Sequence, residues 1–270
     1  YRKSPTAMIG LAIISVIILG AIFADIIVPY DYGIKQVIPD RLQGPSLKHL
    51  FGTDDLGRDL FSRVIHGSRS SLVLGILTTA VATLIGGFLG GICAYYGNRV
   101  DNIIMRLLDV ITSIPSTLLS LSIVAALGPG IRNLVIAITV SRVPTFARVI
   151  RSAVLNIVNQ EYIEAAKAGG TRNLRIMLRH VYPNAMSPII VQCTMSISQL
   201  ILQAAGLSFL GMGMQPPAPE WGALLNSARD FMRTAPHLML FPGIAIVLAA
   251  LAFNLVGDGL RDAFDPRLKS

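Results

Sequence analysis

The sequence predicts an all-α membrane protein with six transmembrane helices and a polar loop between the fourth and the fifth. Hydrophobic residues make up 53% of the 270 residues and charged residues only 14%, against about 25% charged in soluble domains. A helix of about 20 apolar residues crosses a bilayer, and six stretches of the chain qualify or nearly qualify. Most basic residues lie between these stretches, as expected for membrane proteins.

The charge and the reactive residues exclude several classes of function. The net charge is +8, but the basic residues form no single aromatic-rich patch, so we expect no nucleic-acid partner. No phosphate-binding loop and no pair of nucleophile and base occur, so we predict no catalytic residues and no bound cofactor. Cys93 and Cys193 lie in apolar runs without metal-ligand spacing and are interpreted as core residues. No metal site is predicted.

The first apolar stretch predicts a membrane anchor. Residues 6–24 carry no charge. A secretory signal peptide is the alternative, but the stretch is long for one, and residues 21–24 make a poor cleavage site. We therefore assign residues 1–28 to an anchor helix.

A polar extracytoplasmic loop is predicted for residues 29–69. Within it, residues 51–63 predict an amphipathic helix, because their apolar residues share one face. Asp59 and Arg63 stand four residues apart and would form an ion pair on that helix. The helix would lie along the membrane surface and lead into the second span.

The second span is predicted at residues 70–94 and contains two overlapping pairs of glycines. Gly86 and Gly90, and likewise Gly87 and Gly91, stand four residues apart. Small residues at this spacing let another helix approach closely. We therefore expect this span to pack tightly against a neighbour.

The third and fourth spans are both interrupted by proline. Residues 110–130 form the third, with Pro115 as a predicted kink. Residues 133–149 form the fourth, which contains Arg142 and Pro144. An arginine inside a membrane usually faces a bundle interior or water. A role of Arg142 in a pathway or between subunits, and snorkelling to an interface, both stay open.

Residues 160–184, which follow the fourth span, form a polar segment in an otherwise apolar part of the chain. Its first half has helix-forming composition and ends at Gly169 and Gly170, where the chain must turn sharply. Thr171 is the predicted N-cap of a second short helix, which Pro183 would end. The apolar face of that helix would comprise Leu174, Met177, Leu178 and Val181. Two short helices between two spans make a compact knob that a soluble partner could grip.

This segment resembles the coupling loop of binding-protein-dependent ABC importer permeases. The family pattern is Glu-Ala-Ala, three residues, Gly, nine residues, a hydrophobic residue, any residue, Leu and Pro. The matching residues are Glu164, Ala165, Ala166, Gly170 and Pro183. His180 and Tyr182 depart from the pattern, since they replace the hydrophobic residue and leucine. Residues 51–72, 215–222 and 253–269 are similar to the dipeptide, oligopeptide and nickel branch of these permeases.

The resemblance implies a fold and a set of partners. It implies the MetI-like fold of type I ABC importer permeases, with a core at residues 70–257, a coupling loop at residues 152–184 and a cytoplasmic tail at residues 258–270. The chain would pair with a homologous permease subunit and with two ABC ATPase subunits that hold ATP and Mg. An extracytoplasmic solute-binding protein would deliver the cargo. The implied coupling residues are Glu161, Glu164, Ala165, Ala166, Gly170, Arg172, Arg175 and Pro183.

The fifth span, predicted at residues 185–210, has a polar stripe. The stripe consists of Gln192, Ser196, Gln199 and Gln203. Amides in hydrocarbon need hydrogen-bonding partners, so the stripe should face other helices or a wet passage. Structural hydrogen bonding is the alternative, but the length of the stripe favours a lining of the translocation pathway. The other pathway candidates are Arg142, Ser116 and Ser120.

The orientation follows from the positions of the basic residues. They are concentrated between Arg148 and Arg179, which predicts a cytoplasmic location for the polar segment. With a sixth span at residues 236–256, both termini are then cytoplasmic. We expect a multi-pass protein of the bacterial inner or plasma membrane, surrounded by lipid.

Import of di- or oligopeptides is the function that the resemblance favours. Nickel or another small solute of the same branch is the alternative cargo. A secondary transporter without an ATPase is a different class, but it needs ion-coupling carboxylates in the spans, where Asp and Glu are nearly absent. A membrane scaffold or channel is a third class, and it would bind no nucleotide-binding subunits.

Overall fold

The computed structural model describes residues 5–264 as a bundle of α-helices. In chain order they are α1 (Pro5–Ile22), α2 (Ala24–Ile27), α3 (Leu60–Tyr96), α4 (Asn98–Thr112), α5 (Ser116–Leu127), α6 (Ile131–Val158), α7 (Glu161–Ala168), α8 (Asn173–Ile176), α9 (Tyr182–Phe209), α10 (Trp221–Ala228) and α11 (His237–Phe264). Within this described range the β pairing is limited to one bridge, between Thr53 and Asp59. The predicted all-α fold is confirmed. Parts of the predicted anchor (1–28) and tail (258–270) lie outside the described residues.

The number of membrane spans agrees with the prediction if one bent pair counts as a single span. Within residues 5–264, five helical stretches are long and apolar enough to cross a membrane. They are α1, α3, α6, the continuous helix Asn173–Phe209 and α11. The sixth candidate is the pair α4 and α5, whose axes differ by 81°.

This pair corrects the predicted third span, which is divided rather than kinked. α4 ends at Thr112 and α5 begins at Ser116, immediately after Pro115. Proline disfavours a helical conformation of the preceding residue and supplies no N–H to a continuing helix. The chain therefore turns sharply here, and α4 runs nearly perpendicular to α5.

The long helices α3 and α6 pack closely along the glycines of α3. A Cβ atom on Gly86 would lie 2.7 Å from Cβ of Phe146, and one on Gly90 would collide with the carbonyl oxygen of Ala147. A larger residue would separate the two backbones. The tight packing predicted for these glycines is confirmed.

The predicted surface helix at residues 51–63 is wrong for most of its length. Residues 51–59 form a compact loop, and α3 begins only after it. Asp54 accounts for the difference, because its carboxylate accepts hydrogen bonds from the backbone N–H groups of Leu56 and Arg58, both at 2.9 Å. Such local bonds offer the backbone an alternative to a helix.

The predicted ion pair between Asp59 and Arg63 is also wrong. Asp59 is the N-cap of α3, where its carboxylate accepts a hydrogen bond from the backbone N–H of Ser62 at 2.8 Å. Its other oxygen lies 2.9 Å from Nδ1 of His49. Arg63 instead lies against Asp54, with 3.5 Å between Nε and Oδ2. These charges are buried together rather than displayed on a surface.

Candidate functional site

The polar segment between α6 and α9 folds as a knob, which comprises residues 161–181. Helix α7 comes first, and the chain then turns at Gly169 and Gly170. α8 follows and continues through one wide π turn, Met177–Val181, into α9. The second half of the knob and the fifth span are therefore a single helix.

The elbow of the knob depends on Gly170. Its φ is +75°, a left-handed conformation that costs residues with a Cβ atom roughly 1–2 kcal/mol. The N–H of Gly169 donates to the carbonyl oxygen of Ala165 at 2.9 Å, and that of Thr171 donates to Ala166 at 3.1 Å. These bonds satisfy carbonyls at the end of α7. The sharp turn predicted at this pair of glycines is present.

An apolar underside attaches the knob to the spans. Ile163, Ile176 and Val181 are fully buried. They belong to one apolar cluster with residues of α3 and α6, which include Ala94, Tyr95, Ile150, Val154 and Val158. Burying each aliphatic side chain of this size contributes about 1.5–3 kcal/mol. The underside therefore anchors the knob mainly through apolar contacts.

The predicted apolar face of the second short helix is only half correct. Met177 and Val181 are buried, but Leu174 and Leu178 are 68% and 59% exposed. The buried side of this helix is centred on Ile176 and Met177, and it reaches Val181 through the π turn, in which the N–H of Tyr182 bonds to the carbonyl oxygen of Met177, five residues earlier. This wider turn shifts side chains away from the 3.6-residue period. Two large apolar side chains therefore remain on the outer surface.

Two predicted helix-end signals also differ from the structure. Arg172, not Thr171, occupies the N-cap position of α8, and no side chain caps that helix. Pro183 does not end a helix but lies in the first turn of α9. It lies inside the continuous helix Asn173–Phe209, directly after the π turn, where the regular hydrogen-bond ladder that a proline cannot join is already interrupted.

The outer surface of the knob is charged. Of the predicted coupling residues, Ala166 is half-buried and the others are exposed, namely Glu161, Glu164, Ala165, Gly170, Arg172, Arg175 and Pro183. Within residues 5–264, none of the charged residues of the knob forms an ion pair. Its carboxylates and guanidinium groups are therefore available to a partner.

Two tyrosines connect the knob to α3. Oη of Tyr182 donates to the carbonyl oxygen of Gly87 at 3.1 Å, and its ring fills the space that a side chain on Gly91 would need. Oη of Tyr95 donates to Oδ1 of Asn173 at 2.8 Å. The sequence indicated Tyr182 only as a departure from the family pattern. The structure shows it as a link between the start of α9, directly after the knob, and α3.

A cluster of hydrogen-bonded polar residues lies inside the bundle. Nε of Arg142 on α6 donates to Oε1 of Gln203 on α9 at 2.7 Å, and Nε2 of Gln203 donates to Oγ of Ser120 on α5 at 3.2 Å. Oγ of Ser120 also donates to Oγ of Ser141 at 2.9 Å. These bonds join three helices and give a buried amide the partners it needs. We call these four residues the polar network.

The structure brings together only some of the predicted pathway residues. Those in the network are Arg142, Gln203 and Ser120. Those outside it are Gln192, Ser196, Gln199 and Ser116. Gln192 donates to Ser196 at 3.1 Å within α9, and Gln199 is exposed. The stripe therefore has one member inside the polar network and three outside it, a difference that its spacing in the sequence did not predict. Ser141 was missed because a lone serine in an apolar helix gives no sequence signal.

Comparisons with known protein families decide where this chain belongs. The family of binding-protein-dependent transport system inner membrane components matches residues 82–270. The chain belongs to that family. The N-terminal TM domain of oligopeptide transport permease C also matches, at residues 1–45. The chain is thus a non-catalytic permease subunit of an ABC importer and a multi-pass membrane protein.

Similar permeases cover the whole chain. The dipeptide transport system permease protein DppC of Alkalihalophilus pseudofirmus is 47% identical over 100% of this chain and 88% of its own length. The di/tripeptide transport system permease protein DppC of Pseudomonas aeruginosa is 45% identical over 100% of this chain and 91% of its own. The glutathione transport system permease protein GsiD of Escherichia coli (strain 536) is 46% identical over 100% of this chain and 89% of its own length.

Solved structures support the fold. A chain of the inward-facing MetNI methionine ABC transporter matches with a TM-score of 0.61 at 18% identity, over 75% of this chain and 97% of that one. A chain of an amino acid ABC transporter matches with a TM-score of 0.56 at 20% identity, over 77% and 95%. The predicted MetI-like fold is confirmed.

Proposed function

We propose that this permease forms half of the translocation pathway of an ATP-driven importer of di- and oligopeptides, and that its knob couples the pathway to ATPase subunits. The observation that supports the coupling is the contrast within the knob. Its underside is buried against two spans, whereas its charged outer surface has no ion-pair partner within residues 5–264. Two ABC ATPase subunits, which hold ATP and Mg, would occupy that surface.

Each coupling residue has a physical role in this proposal. Glu164 meets a cationic wall of the ATPase groove, while Ala165 and Ala166 permit close approach and Gly170 sets the elbow. Closure of the ATPase dimer displaces the knob, and the continuous helix Asn173–Phe209 carries that displacement into the membrane. ATP can drive the change only if it binds more tightly to one form of the transporter than to the other.

The proposed orientation places the knob and both termini in the cytoplasm. The basic residues from Arg148 to Arg179 support it, because positive residues are retained on the cytoplasmic side. The outer loop between α2 and α3 then faces the solute-binding protein that delivers cargo. A homologous permease subunit completes the pathway.

Peptides are the proposed cargo because relatives of nearly equal identity are named for dipeptides, di/tripeptides and glutathione. The polar network suits such a cargo. Arg142 bonds through Nε alone among the described residues, so its terminal nitrogens are available to a carboxylate. An arginine fork binds a carboxylate through two parallel hydrogen bonds. The network therefore offers a peptide C-terminus a place to bind during passage.

Reconstitution into proteoliposomes tests the proposal. The complete transporter is supplied with its binding protein, ATP and a labelled dipeptide, and a parallel sample omits the ATPase subunits. We expect accumulation only with the ATPases and ATP, and competition by unlabelled di- and tripeptides but not by nickel ions. Accumulation without any ATPase would contradict ATP-driven import. Competition by nickel but not by peptides would reassign the cargo.

A further inference from the structure

Helix α4 follows directly after the end of α3 that contacts the knob, and it runs across the direction of α5. It follows Tyr95 and Tyr96 at the end of α3, and Tyr95 contacts Asn173 and Lys167 of the knob (2.8 Å from Oη to Oδ1, and 5.1 Å from ring centroid to Nζ). The axis of α4 differs from that of α5 by 81°. Because α5 packs against the span α6, the bend turns α4 away from the direction of the spans at the end that holds the knob.

One face of α4 is fixed to the protein. Leu108 is 4% exposed and packs with Val143 and Ala147 of α6. The acidic residues of α4 are held by α6 as well. Nε of Arg151 donates to Oδ1 of Asp101 at 2.6 Å, and Arg148 pairs with Asp109 at 2.7 Å between Nη2 and Oδ1. These contacts set which side of α4 faces outward and pair its carboxylates.

A second face of α4 is apolar and exposed. Ile103, Leu107 and Val110 recur at i, i+4 and i+7 and are 61%, 63% and 67% exposed. Val100 extends the stripe towards the start of α4. Within residues 5–264 nothing covers it. An apolar stripe of this length requires a cover of lipid or protein.

A line of positive charge runs beside this stripe. Arg99 and Arg106 are seven residues apart, so they share one line along the helix. Both are exposed, and among the described residues neither forms an ion pair. Arg99 lies one turn from Ile103, and Arg106 lies one turn from Val110. Each guanidinium group therefore borders the apolar stripe.

We propose that α4 is a membrane-surface helix that binds anionic phospholipids. The apolar stripe enters the acyl-chain boundary, and Arg99 and Arg106 bind the phosphate groups above it. A helix that combines an apolar stripe with a flanking cationic line lies in the interface of an anionic membrane. The perpendicular axis of α4 allows both contacts along its whole length. The choice of the cytoplasmic leaflet rests on the orientation given under the proposed function.

The lipid surface adjoins the site that meets the ATPases. Tyr95, which contacts the knob, lies three residues before the first residue of α4. Lipids bound along α4 therefore hold the base of the knob at a fixed height in the membrane. Coupling between ATP hydrolysis and uptake should then depend on the fraction of anionic lipid.

Spin-label accessibility tests the membrane contact in the complete transporter. Nitroxide labels are placed on Ile103→Cys or Leu107→Cys, with Asn102→Cys on the exposed polar side as the matched control. The parent chain, labelled in parallel, gives the background from Cys93 and Cys193. We expect frequent collisions with oxygen and rare collisions with a water-soluble nickel chelate at positions 103 and 107, and the reverse at 102. Low access to both reagents at 103 and 107, as beneath a second permease, would overturn the proposal. High access to the chelate there would overturn it too.

Bound lipid tests the charge selectivity. The purified transporter carrying Arg99→Gln and Arg106→Gln is equilibrated with mixed phosphatidylglycerol and phosphatidylcholine, and the retained lipids are counted by mass spectrometry. We expect the preference for phosphatidylglycerol to fall up to about fivefold per arginine, which is the effect of one basic residue near an anionic surface. Arg99→Lys with Arg106→Lys should retain most of it.

The control removes the same charge at the opposite end of the molecule. Arg229→Gln with Arg233→Gln changes two exposed arginines of the loop between α9 and α11. An equal loss of phosphatidylglycerol in this control, or no loss in the α4 variant, would overturn the selectivity. Neither readout uses transport. A transporter with another cargo would leave both results unchanged, whereas a knob on the outer side would alter only which leaflet is bound.

Discussion

The loop between α2 and α3 and the knob (residues 161–181) are both rich in charged residues, but their charged side chains have different surroundings. Asp54 and Arg58 of the loop and Arg63 of the first turn of α3 are 6%, 4% and 3% exposed, and Nε of Arg58 lies 2.6 Å from Oδ2 of Asp54. In the knob, Glu164 and Arg175 are exposed and unpaired within residues 5–264. The loop thus uses its charges to hold its own shape, and the knob leaves them for a partner.

The difference shows how one chain separates stability from recognition. Removing one partner from a buried ion pair leaves an uncompensated charge, so such pairs tolerate little change. Exposed single charges contribute little to folding. In the knob, folding depends instead on an apolar underside centred on Ile163 and Ile176. Substitutions in the two regions should therefore have opposite effects on stability and on coupling.

The largest expected effect is on the stability of the loop between α2 and α3. Asp54→Asn removes the negative charge that faces both Arg58 and Arg63. We expect it to lower the free energy of unfolding by about 3–5 kcal/mol. Thermal unfolding of the purified protein in detergent measures it. Asp55→Asn is the matched control, because Asp55 is more exposed and lies 3.8 Å from Nη2 of Arg58. Asp55→Asn should lower the free energy of unfolding by less than about 1 kcal/mol. Equal losses in the two variants would remove the distinction between buried and more exposed charges.

The next effect is on the underside of the knob. Ile163→Ala leaves a cavity in a fully buried position, and we expect the knob to lose about 2–5 kcal/mol of local stability. Hydrogen exchange of the amides of α7 measures this opening separately from unfolding of the bundle. Leu174→Ala, at a position that is 68% exposed, should leave exchange unchanged. Similar exchange in both variants would show that the underside does not hold the knob.

A smaller effect is expected at the link between the knob and α3. Tyr182→Phe removes the hydrogen bond to the carbonyl oxygen of Gly87, at a cost of about 1 kcal/mol. Peptide uptake per transporter should fall while ATP hydrolysis continues. Tyr162→Phe is the control, since that ring is 46% exposed and its hydroxyl has no hydrogen bond among the described residues. Wild-type uptake by Tyr182→Phe would place the transmission elsewhere.

The smallest effect on folding is expected at the outer surface of the knob. Arg175→Gln should change stability by no more than about 0.5 kcal/mol. It should nevertheless weaken co-purification of the ATPase subunits, and the loss should become more pronounced at higher salt, because exposed charges are screened. Arg233→Gln removes an exposed arginine outside the knob and should leave co-purification intact. A stability loss without any change in co-purification would reverse the assignment of these charges.

The sequence predicts the fold class and most of the spans, because apolar length and the absence of charge determine which segments enter a bilayer. It also predicts the elbow at Gly170 and the close approach at Gly90, since both depend on the lack of a side chain. It does not predict the buried pairs of Asp54, which depend on contacts with Arg63 and the loop backbone. The π turn before Tyr182 is missed for a similar reason, because packing sets it rather than local composition.

The sequence likewise predicts only part of the candidate site. The spacing from Glu164 to Pro183 locates the knob, but not which of its residues face outward. Periodicity places Gln192 and Gln203 on one stripe, yet only Gln203 meets Arg142, because α6 crosses α9 near that position. Contacts between helices that are distant in sequence therefore cannot be predicted from the periodicity of each helix separately.

The most direct test of the account is the number of peptides imported per ATP hydrolysed by the complete transporter in proteoliposomes. Glu164→Lys and Gly170→Val alter the outer surface and the elbow of the knob, and Arg233→Glu is the control at the other end of the molecule. We predict normal membrane insertion for all three, a ratio at least tenfold lower for the two knob variants, and a wild-type ratio for the control. A wild-type ratio in both knob variants would contradict the claim that the knob transmits the work of the ATPases.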